Sequence, residues 1–125
     1  MKFLQIHTFY PQYLEYFYSK FKHLHHASFS DQTEMLVSDA FSAAHIISPY
    51  MNLCGYESKL IIANCRETQA QWLKENSVKI QCSTNWVEEI TLKQVEYFQP
   101  DVLYLSHPIG FDSMFLRKLK HKPQL

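Results

Sequence analysis

The chain has 125 residues, 46% of them apolar, and 12 basic side chains balance 12 acidic ones to a formal net charge of zero. That length buries one core and that composition is globular, which excludes disorder, while the charge balance advertises neither nucleic acid nor an anionic membrane as a partner. Only two glycines occur, Gly55 and Gly110, so neither a phosphate-cradling loop nor a glycine-rich dinucleotide fingerprint can be built, and no cofactor is expected.

Lys2 to His7 reads as a first strand, with Phe3, Leu4 and Ile6 apolar. Thr8 to Pro11 breaks it. An aromatic stretch follows, in which Tyr13, Phe17 and Phe21 recur every four residues, as do Leu14 and Tyr18; the spacing predicts a short amphipathic helix ending in the polar run Lys22 to His26. Ser30 or Asp31 is placed to cap a second helix. From Met35 to Leu53 the chain is apolar almost all round, which predicts one long buried helix kinked at Pro49. Gly55 stands where a left-handed helix stop needs glycine. Lys59 to Asn64 is a second, buried strand, so strand, long helix, glycine and strand make a βαβ unit.

Glu67 to Glu75 reads as a short helix and Ser77 to Ser83 as irregular or a minor strand. Trp86 to Phe98 is a helix with Val87, Ile90, Leu92, Val95 and Phe98 as its apolar side. Gln99-Pro100 ends it, because proline biases the preceding residue away from helical angles. Asp101 to Ser106 is then a third strand, whose continuous apolar run suits burial on both faces in a parallel sheet. Asp112 to Lys120 is a last helix, and Pro123-Gln124-Leu125 reads as the start of a fourth strand. The expected fold class is α/β, a Rossmann-like three-layer α/β/α sandwich with a mainly parallel sheet in the order 3-2-1 or 2-1-3. A three-stranded sheet with bare edges is an aggregation liability, so residues 1–125 are read as one domain, the amino-terminal part of a longer protein.

Three cysteines, Cys54, Cys65 and Cys82, are an odd number without metal-ligand spacing, and Met1-Lys2 runs directly into a strand with no signal peptide before it. The reading is free thiols in a reducing cytoplasm. No apolar run approaches the about 20 residues of a membrane span.

The order of strand, Phe9-Tyr10-Pro11, long apolar helix, Leu53 with Gly55-Tyr56-Glu57, strand, and a helix feeding Phe98 to Pro108 resembles the amino-terminal domain of GT-B glycosyltransferases, near the family-4-like and CgeB-like groups. The pattern covers nearly the whole chain. The resemblance implies a domain that supplies the acceptor side of a cleft, with the nucleotide-sugar donor bound by a carboxyl-terminal domain that this chain lacks. Family-4 enzymes carry paired glycines after Phe-x-Pro, where this chain has the aromatic, histidine-bearing stretch Gln12 to Ser30.

In a parallel sheet His7 and His107, at the ends of the first and third strands, share one edge, and open parallel sheets gather ligands there. Either ring is suited to act as general base on an acceptor hydroxyl; the competing reading has each histidine end its strand and bond to backbone. Ser106 adjoins His107 and joins the acceptor-binding candidates with Tyr10, Tyr13 and Asp112. Tyr10, Tyr13 and Tyr16 suit stacking on a sugar but equally suit a core, and Asp112 suits a sugar hydroxyl or a helix cap. His23, His25 and His26 lack a carboxylate or thiol at ligand spacing, so no metal is expected. Asp101 reads as a turn former. Cys65 has no histidine partner nearby in sequence to make it a nucleophile.

The expected function is therefore the acceptor-side domain of a glycosyltransferase that moves a sugar from a nucleotide-sugar donor to an acceptor hydroxyl, inactive alone. The alternative is a non-catalytic Rossmann-like module that binds a ligand or protein through the aromatic stretch. A receiver-type signalling domain is excluded, since no acidic pair follows the first strand and no phosphorylatable Asp ends the third.

Overall fold

The computed structural model describes residues 1–81, 84–107 and 110–124; Cys82, Ser83, Pro108 and Leu125, which enter the readings above, lie outside them. The strands are β1 (Lys2–His7), β2 (Glu57–Ile62) and β3 (Val102–Leu105), and the helices α1 (Pro11–Lys20), α2 (Phe29–Ser38), α3 (Ser48–Leu53), α4 (Arg66–Glu75), α5 (Trp86–Phe98) and α6 (Ser113–Lys118), with 3-10 turns at Lys22–His26 and Ala43–His45. The sheet order is β2-β1-β3, and both pairs are parallel. The fold is mixed α/β, Rossmann-like, with helices on both faces of the sheet, and of the two predicted orders it takes 2-1-3.

Strand parity sorts the core into two halves. Leu60 and Ile62 join Tyr13, Leu14, Phe17, Tyr18 and Leu36 under α1 and α2. On the opposite face Leu4, Ile6 and Ile61 meet Val95 and Phe98 of α5 and Phe115 of α6. Between these layers α4 passes the β2 edge. It bonds to α5 through a fully buried amide pair, Gln69 Nε2 to Gln94 Oε1 at 2.8 Å and Gln94 Nε2 to Gln69 Oε1 at 2.7 Å.

Local chemistry explains the element ends. Pro11 starts α1 where its missing N–H costs nothing. Asp112 Oδ1 accepts from the Met114 and Phe115 backbone amides and so caps α6. α5 spans the range its apolar spacing predicts and ends at Gln99, held left-handed at φ 51° ahead of Pro100. Gly55, at φ 85°, ends the α3 region in the backbone region that only glycine enters freely. The turn-forming role of Asp101 is sharper than expected: its Oδ2 accepts the Lys2 backbone N–H at 2.7 Å and aligns β3 with β1.

Three expectations need correction. β3 is not buried on both faces: it lies at the edge of the sheet, and Tyr104 keeps 38% of its surface exposed. The Met35–Leu53 stretch is not one helix: it is the end of α2, the Ala43–His45 turn and α3. The break falls where Asp39 turns its carboxylate to the Tyr13 hydroxyl, 2.7 Å away, and Ala40 takes φ 53°. A tertiary bond thus outweighs helix propensity. The cap of α2 is Ser28 rather than Ser30 or Asp31, its Oγ accepting from Asp31 N at 3.0 Å. Among the described residues, no helix is long and apolar enough to cross a membrane.

Candidate functional site at the β1–β3 carboxyl edge

The chain leaves β1 toward α1 on one face and β3 toward α6 on the other, so the connections diverge between adjacent parallel strands. In open α/β sheets ligands bind at such a divergence, on the carboxyl edge; a cavity of about 700 Å³ in this fold lies away from it, lined by Phe29, Val37, Trp72 and Tyr97 among others. His7 ends β1, and Ser106 and His107 follow β3.

Parity and register place these groups. Phe3, Gln5 and His7 point to the α1 side, and because Gln5 pairs with Tyr104, Ser106 stands two residues further along the same face. The Ser106 backbone N–H extends the ladder to Ile6 O at 3.1 Å. Gln5, wholly buried, donates from Nε2 to Ser106 Oγ at 3.2 Å and accepts the Ser48 backbone N–H at 3.0 Å, which orients its amide. Ser106 Oγ in turn donates to Ile6 O at 3.1 Å.

Both ring nitrogens of His7 face a serine hydroxyl. Its Nδ1 lies 2.8 Å from Ser106 Oγ and its Nε2 2.9 Å from Ser42 Oγ. Ser106 Oγ reaches two acceptors, Ile6 O at 3.1 Å and His7 Nδ1 at 2.8 Å; in the tautomer in which its proton goes to Ile6 O, Nδ1 carries the ring proton and Nε2 is bare to accept from Ser42. The Ser42 oxygen also accepts the Ala44 backbone N–H at 3.3 Å, and the carbonyl of Ser42 bonds His45 Nδ1, which tightens the turn. Phe9 closes over the imidazole edge-on, with ring centres 5.0 Å apart. Phe9 itself is clamped by Asn64 at the β2 end, whose side chain accepts from Phe9 N at 3.0 Å and donates to Phe9 O at 2.6 Å.

Burial first, and repulsion between the charged forms of His7 and His107 second, hold the His7 pKa below the ordinary 6.5, so the His7 ring is neutral at pH 7. The unfolded chain binds this proton more readily than the folded one. The stability His7 confers is therefore full above about pH 6.5 and falls as the pH drops from there toward the folded value. His7→Gln should flatten the dependence of the urea midpoint on pH between about 5 and 7, and an unchanged slope would mean that His7 titrates normally.

The other candidates divide. His107 has a buried Nδ1 that finds no hydrogen-bond partner among the described residues; buried polar atoms are satisfied in the great majority of cases, so an orphan at a sheet edge is a cue for a ligand. Tyr10 is 73% exposed at the head of α1. Tyr13 stands in the core, its ring stacked on Phe41 at 3.9 Å and its hydroxyl held by Asp39. Burial and that carboxylate raise its pKa far above 10, so it stays protonated. Asp112 is engaged as the α6 cap. Cys65 is wholly buried, 3.4 Å from the Tyr18 hydroxyl, and burial pushes its pKa up, so it is an inert packing thiol. His23, His25 and His26 lie in a 3-10 turn, exposed, with the His25 ring against Tyr18. Among the described residues no three His, Cys, Asp or Glu side chains gather as a metal site would require. Gln5, Ser42 and Asn64 were not singled out from the sequence. Parity in β1 marks Gln5 as a polar residue facing the core, but nothing local marks Ser42.

No family model, no curated protein and no solved structure matches the chain.

Proposed function

We propose that this chain is the acceptor-side domain of a GT-B-type glycosyltransferase, with a sugar or glycoside hydroxyl bound at the β1–β3 carboxyl edge and the nucleotide-sugar donor held by a separate domain. The observation that carries the reading is the buried Nδ1 of His107, unpartnered among the described residues, beside the neutral His7. A ring nitrogen in that state is suited to take the hydroxyl proton as the acceptor oxygen attacks the sugar. His7 serves the same edge as second base and Ser106 orients it. Tyr10 offers an exposed ring to stack on the acceptor. The chain alone then binds acceptor without turning it over.

Ring-nitrogen NMR of the histidines tests this. A panel of glycoside acceptors should contain members that shift the His107 ring signal, and UDP- or GDP-sugars should bind weakly or not at all. Tight binding of a nucleotide sugar, or acceptor binding undiminished in His107→Ala, overturns the reading. A second reading, a non-catalytic binding module, is favoured by Tyr10 and Tyr16, which keep 73% and 61% of their surface exposed within the aromatic stretch. It expects Tyr10→Ala and Tyr16→Ala to weaken partner binding and His107→Ala to leave it intact.

A further inference from the structure

We propose that Ser42 is a nucleophile that accepts an acyl group from a small ester or thioester, with His7 as its base and Ser106 as the residue that positions the base. This shares His7 with the reading above but needs neither a sugar donor nor a second domain.

The geometry is that of a nucleophile, a base and an orienting group in series. Ser42 Oγ stands 2.9 Å from His7 Nε2, and His7 Nδ1 stands 2.8 Å from Ser106 Oγ. Every other valence in the series is occupied by Ile6 O, Gln5 and the Ala44 amide. In the tautomer with the proton on Nδ1, the imidazole receives the Ser42 proton at Nε2. The two serines are not equivalent. Ser106 is tied on three sides at the strand end, whereas Ser42 is half-buried on a turn and flanked by the exposed ring of Phe41. Phe41, next to Ser42 in the chain, stacks on Tyr13 at 3.9 Å and lies 6.1 Å from the buried Phe9 between ring centres, and its exposed ring offers an apolar surface that suits a short, uncharged acyl group.

The step balances without any redox partner. Ser42 Oγ adds to the ester carbonyl carbon as its proton passes to His7 Nε2. The bond from that carbon to the alcohol oxygen, or thiol sulfur, then breaks. The leaving group takes the proton from Nε2 and departs as alcohol or thiol, and Ser42 retains the acyl ester. Water attacking that ester with the same base would release the carboxylic acid and restore Ser42.

The test uses the full chain and p-nitrophenyl acetate. The expected result is a burst of p-nitrophenol with one acetyl group mapped to Ser42 by peptide mass spectrometry. Ser42→Ala should remove the burst, and His7→Gln should slow it about 10²-fold or more. Ser106→Ala should slow it too, and Ser106→Thr, which keeps the hydroxyl, should restore it. Because His7 is buried and its replacement also disturbs packing, Ser42→Cys gives an independent reading. The thiol introduced by that substitution should alkylate with iodoacetamide faster than the exposed Cys54 of the same molecule. Acetyl groups found only on lysines or the amino terminus, a burst that survives Ser42→Ala, or alkylation of the Ser42→Cys thiol slower than that of Cys54 each overturn the proposal. Ser42→Ala should leave the response of His107 to acceptors unchanged, so the two readings fail separately.

Discussion

Phe17→Ala should destabilise the fold by about 3–5 kcal/mol, a large part of the about 5–15 kcal/mol that a domain of this size holds. Phe17 has no exposed surface. Its ring touches Tyr18 and Phe21 with centres at 5.2 and 5.0 Å and Tyr13 at 6.0 Å. Truncation removes the transfer free energy of the ring and leaves a void that these packed aromatics cannot all move to fill. Tyr16→Ala, one residue away but on the solvent side, should change stability by no more than about 0.5 kcal/mol. Urea titrations of both variants make the comparison. A Phe17→Ala cost below about 1 kcal/mol would mean that α1 is not anchored to the sheet by this cluster.

Gln69→Leu should cost about 2–4 kcal/mol, although leucine is the more apolar residue, because it strands both ends of the Gln94 amide in a buried site. Gln94→Leu should cost a similar amount. Combining them removes both polar partners and should recover most of the loss, an interaction energy of about 1–3 kcal/mol in a double-mutant cycle. Strict additivity of the two costs would show that the amides do not share reciprocal hydrogen bonds. The pair joins α4 to α5, so the single variants should also loosen the helices on either side of the β2 edge in hydrogen exchange.

Much of the secondary structure was legible. β1 and α5 fall on the predicted ranges, and β2, β3, α4 and α6 differ from them by one or two residues at their ends. Prolines follow β1 and α5, a glycine precedes β2 and a capping carboxylate opens α6, while α4 has no such marker and follows from its apolar spacing alone. The long helix predicted over Met35–Leu53 fails because an all-apolar stretch carries no phase. Period alone cannot register a break whose cause is Asp39 reaching Tyr13, 26 residues earlier in the chain. The aromatic stretch was ambiguous for the same reason. Four-residue spacing puts Tyr13 and Phe17 on one helix face but does not say that the face meets the sheet, and it is burial that makes Tyr13 a core residue and leaves Tyr10 and Tyr16 in solvent.

The candidate site divides along the same line. That His7 and His107 share an edge follows from strands that are parallel, and the sequence by itself determined as much: apolar runs bounded by breakers, separated by helices, force a parallel sheet whose strand ends lie together. It also excluded glycine-loop phosphate binding, since two isolated glycines cannot make such a loop. Only the tertiary structure decided which groups meet His7. The β2-β1-β3 order puts β3 beside β1, and the register brings Ser106 rather than His107 to Nδ1. The broken helix brings Ser42 to Nε2 across 35 residues of chain. Those two hydroxyls govern which ring nitrogen carries the proton. A tautomer depends on partners that are adjacent in space and remote in sequence, and for that reason no local pattern of residues encodes it.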